Sequence, residues 1–411
     1  MSKLYSVFRE LSFIRGSLLT LVITWVLMRF GVSIAVPYWS PYLRELGASP
    51  FIIGLILSIS NIALFISRIP GSYLADIYGR RRIIVVFTFL VAFTQLLYVY
   101  APDWRYILLA VILEGIFLIY QPALSAMVAD LIPEDRRGIG FAVINVLPSI
   151  SAIFSPLIGA YIVSIYGLET GMRYVFLLIT ILYLISAFLR YLFLEETLEN
   201  INSGFNFNLK NLFIDSIKSM YRGLHDSPRS LKMVILILVL SSIEDPVFMY
   251  YISLYVFDVG GLSEYEWGLL ISLFIGLSIL LAYPSGWFVD RFGRKNALVN
   301  AYLIAIPAFI MFLMAEIPYM LWLSLTLLAI GTSLANPAIN AFIVDYTPME
   351  YRGRIYGLIG NLNLVSVVVS SPLSGYLYEL NPRYPFIMVL LLNILIMFVL
   401  FRYLDDSVGV N

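Results

Sequence analysis

Apolar residues in this chain come in runs of about twenty, the length a bilayer span needs, broken by short polar stretches. The runs are continuous rather than alternating. That predicts helices and excludes the two-residue period of a membrane β-barrel. Helices are predicted over 17–42, 51–73, 83–101, 105–130, 139–166 and 173–194. A second set is predicted over 232–258, 265–287, 296–315, 319–345, 354–379 and 384–404. The one long break, 195–231, carries Leu209, Leu212, Phe213, Ile217, Met220 and Leu224 at helical spacing, which predicts a short amphipathic helix lying on the membrane face. The run after Ser17 is too long for the apolar part of a cleaved signal and is expected to be the first membrane helix.

Composition narrows the class. Of 411 residues, 61% are hydrophobic and 13% charged, and the mean hydropathy is +0.90. A soluble domain is about 45–50% apolar and about 25% charged, so this chain could not cover its own surface in water. The expected fold is an all-α integral membrane protein with about twelve transmembrane helices. Zero net charge implies no nucleic-acid partner. The absence of Cys excludes disulfides and thiolate centres, and the single His225 lies in a polar stretch, so no metal, cofactor or nucleophilic centre is expected and an enzyme is disfavoured.

Basic residues predict the orientation. With the N-terminus in the cytoplasm, 21 of the 26 Lys and Arg fall on the cytoplasmic side, Arg68 and Arg190 among them. Arg44, Arg105, Arg173 and Arg383 fall outside, and Arg29 lies within a helix. That bias places both termini in the cytoplasm.

The two sets of six helices repeat each other at a shift of about 215 residues, a period that marks internal duplication. Pro70, Asp76, Gly79 and Arg80 match Pro284, Asp290, Gly293 and Arg294. Gln121-Pro122-Ala123 matches Asn336-Pro337-Ala338, and Asp130 matches Asp345. Ser155-Pro156-Leu157 with Gly159 matches Ser371-Pro372-Leu373 with Gly375. Six helices per repeat is an even number, so both halves insert the same way up and are related by an axis along the membrane normal. The domains expected are an N-terminal bundle at 1–194, a cytoplasmic linker at 195–231 and a C-terminal bundle at 232–411.

These motifs resemble the major facilitator superfamily over essentially the whole chain. Its signature, Gly-x-x-x-Asp-Arg-x-Gly-Arg-Arg/Lys after helix 2, is most complete here in the second half, as Gly286, Asp290, Arg291, Gly293, Arg294 and Lys295. The first copy keeps Asp76, Gly79, Arg80 and Arg81 but has Ser72 and Ile77 at two signature positions. The resemblance implies alternating access between two rocking six-helix bundles. It also implies a cytoplasmic gate built from Asp76, Gly79, Arg80, Asp290, Gly293 and Arg294, with Asp130 and Asp345 as the partners of the arginines. The helix 4 arginine of the family's proton-coupled drug exporters is absent, and Val111 stands near its place.

Four charges lie far from helix ends: Arg29, Glu114, Glu244 and Asp245. An ionisable group at such depth costs at least about 2.5–3.5 kcal/mol on insertion scales and normally faces water or a partner. In the family, helices 1, 4, 7 and 10 line the central cavity, which places these four where substrate passes, with Gln121, Tyr38 and Tyr251 as further candidates. The repeat sets Arg29 opposite Glu244, as a possible pair; Glu114 is another partner for Arg29. Three acids against one base suit proton coupling, and a single base disfavours solutes with two anionic groups. The expected function is a monomeric secondary transporter of the plasma membrane, moving a small organic solute with protons, with export of drugs or amphipathic metabolites ahead of sugar or organic-acid uptake. A membrane sensor or membrane-embedded enzyme is the alternative of another class.

Overall fold

The computed structural model describes residues 13–198, 229–315, 317–347 and 352–403, with the backbone alone at 69, 72, 76 and 352–354. The expected linker helix, with Leu209 to Leu224, therefore lies wholly outside the described residues. Among them are twelve helices long and apolar enough to cross a membrane, and no strand. In chain order they are α1 (Ser17–Glu45), α2 (Pro50–Tyr78), α3 (Arg80–Val99), α4 (Trp104–Leu131), α5 (Glu134–Tyr166) and α6 (Leu168–Phe193). Then follow α7 (Arg229–Asp258), α8 (Glu264–Phe292), α9 (Arg294–Leu313), α10 (Pro318–Tyr346), α11 (Arg352–Leu380) and α12 (Tyr384–Tyr403). The fold class expected from the sequence is the one observed.

Four spans are not continuous α-helix, and a proline stands at each break. A proline has no N–H and its ring strikes the carbonyl four residues back. α1 tightens to a 3₁₀ turn at Val36–Tyr38, which contains Pro37. α4 does so at Leu118–Tyr120, two residues before Pro122. α5 is interrupted at 152–154, just before Pro156. α7 widens to a π turn at Val247–Tyr251, directly after Pro246. Pro70, by contrast, sits inside α2 without ending it.

The chain divides into two compact units. The first holds the described residues of 1–38, 45–47 and 59–207; the second holds those of 39–44, 48–58 and 208–411. The sequence division keeps α1 and α2 whole in the N-terminal bundle, whereas their connecting region largely joins the second unit. Specific bonds hold it there. The Phe51 N–H donates to Glu379 Oε1 at 3.0 Å, Ser58 Oγ donates to the Val368 carbonyl, and Arg44 pairs with Asp258. Gly54 allows α2 to lie against the backbone of α11, because a Cβ there would meet the Ser371 carbonyl oxygen at 2.3 Å.

In the first unit, Tyr98 and Phe176 stack at 4.6 Å and help close α3 on α6. In the second, Leu231, Val234, Leu298, Phe342, Leu358 and Ile396 are buried together from α7, α9, α10, α11 and α12. Large apolar side chains such as Ile23, Phe93, Phe188, Leu391 and Phe398 remain exposed on their spans.

Candidate functional site

The first unit carries a polar cluster within its apolar spans. Small residues bring α2 and α4 together: a Cβ on Gly71 would meet the Ile119 carbonyl oxygen at 2.0 Å, and one on Gly115 would meet Ala63 Cβ at 2.8 Å. Close approach through small residues is the usual way membrane helices pack. Ser67 Oγ donates to the Gly115 carbonyl at 2.7 Å, and one residue on, Arg68 Nη2 donates to Gln121 Oε1 at 3.3 Å. Glu114 is half-buried; its Oε2 accepts from the Tyr98 hydroxyl at 3.0 Å, and the Gln95 side chain also donates to it. Tyr183 lies in the electrostatic reach of Glu114, Tyr120, Arg190 and Arg29.

Arg29 is exposed and, among the described residues, forms no ion pair with Glu114 or any other acid of its unit. One other arginine differs from the sequence expectation. Arg190, expected on the cytoplasmic surface, is 0% exposed. Its Nε donates to Thr24 Oγ1 at 3.1 Å, its Nη1 donates to Thr88 Oγ1 at 2.8 Å, and its guanidinium lies 5.7 Å from the Tyr120 ring centre. It stands three residues from the end of α6 and turns inward, toward hydroxyls that engage two of its five donors, while its Nη2 has no hydrogen-bond partner. Arg68 is exposed and ends the apolar stretch Pro50–Arg68, although the helix itself runs on to Tyr78.

In the second unit, Glu244 and Asp245 part company, as adjacent helical positions about 100° apart must. Glu244 is buried, takes a side-chain hydrogen bond from Asn393 of α12, and has one oxygen, Oε1, without a hydrogen-bond partner. Tyr302 of α9 lies in its field and meets Ser241 Oγ at 3.3 Å. Asp245 is exposed.

Tyr38 and Tyr251 are both fully buried, so as placed they present no surface to a solute. They make the same contact in the two units. A Cβ on Gly159 would lie 3.0 Å from Tyr38 Cε2, and one on Gly375 would lie 2.6 Å from the Tyr251 hydroxyl. The repeated Ser-Pro-Leu-x-Gly motif is thus a seat for a tyrosine. The Tyr251 hydroxyl is shared between the carbonyl oxygens of Pro50 and Ser371, 3.0 Å from each.

The signature loops build matching corners. Gly79 and Gly293 have φ of 86° and 90° and start α3 and α9 in a backbone region that disfavours a side chain. The next residue pairs with the last turns of the following even-numbered span: Arg80 with Asp130, and Arg294 Nε with Asp345 Oδ2 at 2.9 Å. Each pair lies within one unit. Asp290 is exposed; the Asp76 side chain lies outside the described residues.

Arg190 was hidden by position. Arg190 ends an apolar run, where a basic residue reads as an interfacial charge. The legible hint was Thr24 and Thr88, two hydroxyls inside otherwise apolar runs.

The sequence profile of the Major Facilitator Superfamily matches residues 21–315 and 234–410. An uncharacterized MFS-type transporter of Methanocaldococcus jannaschii is 24% identical over 353 residues, covering 85% of this chain and 88% of that protein. The multi-drug resistance efflux pump PmrA of Streptococcus pneumoniae is 24% identical over 331 residues, covering 79% and 80%. Among solved structures, a bacterial homolog of the human lysosomal transporter Spinster, inward-facing and unoccupied, matches with a TM-score of 0.76 at 14% identity, over 96% of this chain and 98% of that one.

Proposed function

The chain belongs to the Major Facilitator Superfamily, and from that premise we propose that it exports small amphipathic organic solutes, drugs among them, in exchange for protons. The observation that carries the coupling is the set of carboxyls within its spans. Among the described residues none of Glu114, Glu244 and Asp245 is in an ion pair with a base. A permanently paired carboxylate holds its charge, whereas an unpaired one at depth is free to exchange it for a proton. Asp245 is the exposed member and takes the role of carrier; Glu244, turned into α9 and α12, supports it. The likeness to an efflux pump over four-fifths of its length supports the export direction.

In this reading the halves 1–194 and 232–411 rock about the solute, with residues 195–231 as the tether. Asp76, Arg80 and Asp130, with Asp290, Arg294 and Asp345, form the gate. The basic bias places that gate and both termini in the cytoplasm, in a monomer of the plasma membrane. The test is accumulation of amphipathic aryl solutes by proteoliposomes under an imposed pH gradient. Accumulation is expected to collapse with a protonophore and in Asp245→Asn, while exchange of solute down its own gradient survives in that variant. Equal accumulation with and without the protonophore would overturn the proton role.

A further inference from the structure

The residues that follow α6 are bound to the first signature corner by their own polar groups. Glu195 donates its N–H to Ser17 Oγ, at the start of α1, at 2.9 Å. Glu196 Oε2 accepts the N–H of Arg81 at 3.0 Å. That N–H is one of the four at the head of α3 with no acceptor inside the helix, and Gly79, which precedes the helix, has no side chain to cap it. A carboxylate at a helix head also meets the positive end of the helix dipole. The other oxygen, Oε1, accepts the N–H groups of Thr197 and Leu198 at 3.0 and 3.2 Å. One side chain therefore caps α3 and fixes the turn that leaves α6. Arg81 adds a bond from its own side: its Nη2 donates at 2.9 Å to the carbonyl of Tyr191, in the last turn of α6, where carbonyls lack helical partners.

The turn so fixed delivers Thr197 to Arg80. Nη1 of Arg80 is shared between Asp130 and Thr197 Oγ1, the latter at 3.3 Å, and its Nε is buried without a hydrogen-bond partner. The side chain of Asp130 is 43% exposed, so water competes for that carboxylate and the pair alone holds the guanidinium loosely. A second acceptor on the same nitrogen narrows Arg80 to the orientation in which both are met.

We infer that Glu196 and Thr197 are positioning residues of the gate: they hold Arg80 against Asp130 and tie the root of the connecting segment to that pair. The inference rests on the gate reading above. Residues 199–228 lead from this turn to α7, so a displacement drawn along the segment is passed to the guanidinium through Thr197. With the hydroxyl removed, Arg80 keeps its charge and its acid but loses the restraint. With the carboxylate removed, the head of α3 loses its cap and Thr197 the bond that sets its place.

The test uses the purified full chain, which has no Cys, so Tyr78→Cys and Phe292→Cys carry the only nitroxide labels. These exposed residues end α2 and α8 and match in the repeat. Pulsed electron resonance gives the distance between the labels and the ratio of its short to its long population. Asp130→Asn is expected to change that ratio at least threefold, which reports the gate. Thr197→Val and Glu196→Leu are each expected to change it at least twofold in the same direction, and Glu196→Gln, which keeps an acceptor, less. Thr197→Ser, which keeps the hydroxyl, is expected to match the parent. In an Arg80→Gln background Thr197→Val is expected to add nothing, because residues that act through one another are not additive. A ratio unmoved by Thr197→Val and Glu196→Leu where Asp130→Asn moves it would overturn the assignment and leave the gate standing, as would a full effect of Thr197→Val in the absence of Arg80. A ratio unmoved by Asp130→Asn and Arg80→Gln would remove the gate, and this assignment with it.

Discussion

Nη1 of Arg44 lies 2.7 Å and 2.6 Å from the two carboxylate oxygens of Asp258. The same carboxylate accepts the Tyr378 hydroxyl at 2.8 Å, so one acid at the end of α7 holds α1 and α11 at once. The ion pair is about a third exposed on each side, which limits it to roughly 0.2–1 kcal/mol. The Tyr378 bond is more sheltered, since that residue is 4% exposed. Asp258→Ala is therefore expected to cost about 2 kcal/mol, because it also strands the Tyr378 hydroxyl. Arg44→Ala is expected to cost less than about 1 kcal/mol, with Asp258→Asn between them. Thermal unfolding of the three variants checks the order.

Glycines in α11 give a contrast within one helix. Gly375→Ala places a methyl 2.3 Å from the Pro50 carbonyl oxygen and 2.6 Å from the Tyr251 hydroxyl. Neither can move without breaking the shared hydrogen bond, so a loss of about 1–3 kcal/mol is expected. At Gly357 nothing lies within 4 Å of the added carbon. Gly357→Ala is expected to be neutral or to gain up to about 1 kcal/mol from helix propensity. Equal melting temperatures for the two variants would contradict the packing of α2 on α11.

The buried Arg190 predicts an asymmetry between removing the cation and removing its partners. Thr88→Val leaves Nη1 without its acceptor and is expected to cost about 1–3 kcal/mol. Arg190→Met fills much of the same volume with no charge and is expected to cost less, or to stabilise. Unfolding curves of both variants and of their combination measure the coupling. A methionine variant less stable than the valine variant would point to an interaction of Arg190 beyond Thr24, Thr88 and Tyr120.

Gly79 and Gly293 separate backbone geometry from charge in the two signature loops. Alanine at φ near 90° is strained by roughly 1–2 kcal/mol. Gly79→Ala and Gly293→Ala are expected to destabilise by that amount, although the arginines and aspartates of both corners remain. Gly138, with ordinary φ and nothing within 4 Å, is the control, and Gly138→Ala is expected to keep full stability.

The spans were legible because each is a long apolar run with polar ends, a pattern that bilayer thickness enforces. Their interruptions were less so: a proline marks all four breaks, yet Pro70 in α2 marks none, since neighbouring helices can shelter a freed carbonyl. The charges at depth were legible where an apolar run surrounds them, as at Arg29, Glu114 and Glu244. They were illegible where side-chain direction decides, as at Arg190, whose Cα is near a helix end and whose guanidinium is in the core. The burial of Tyr38 and Tyr251 was likewise beyond a sequence, because it depends on which helix presents a glycine to them. The Arg80–Asp130 and Arg294–Asp345 pairs could be anticipated only because the repeat states the same arrangement twice.

The setting of Arg190 also bears on how the protein is made. A chain leaves the ribosome from its N-terminus, and early segments settle before late ones exist. Thr24, Thr88 and Tyr120, which receive the guanidinium, belong to α1, α3 and α4, whereas Arg190 closes α6. By the time this arginine is synthesised, every group that accepts it has already entered the membrane. The reverse order would leave a bare cation waiting in lipid through the synthesis of several helices. Reading direction is therefore part of what lets this half tolerate a charge in its core. A circular permutant that begins between α5 and α6 would have to carry that cation into the membrane before its acceptors were there to receive it.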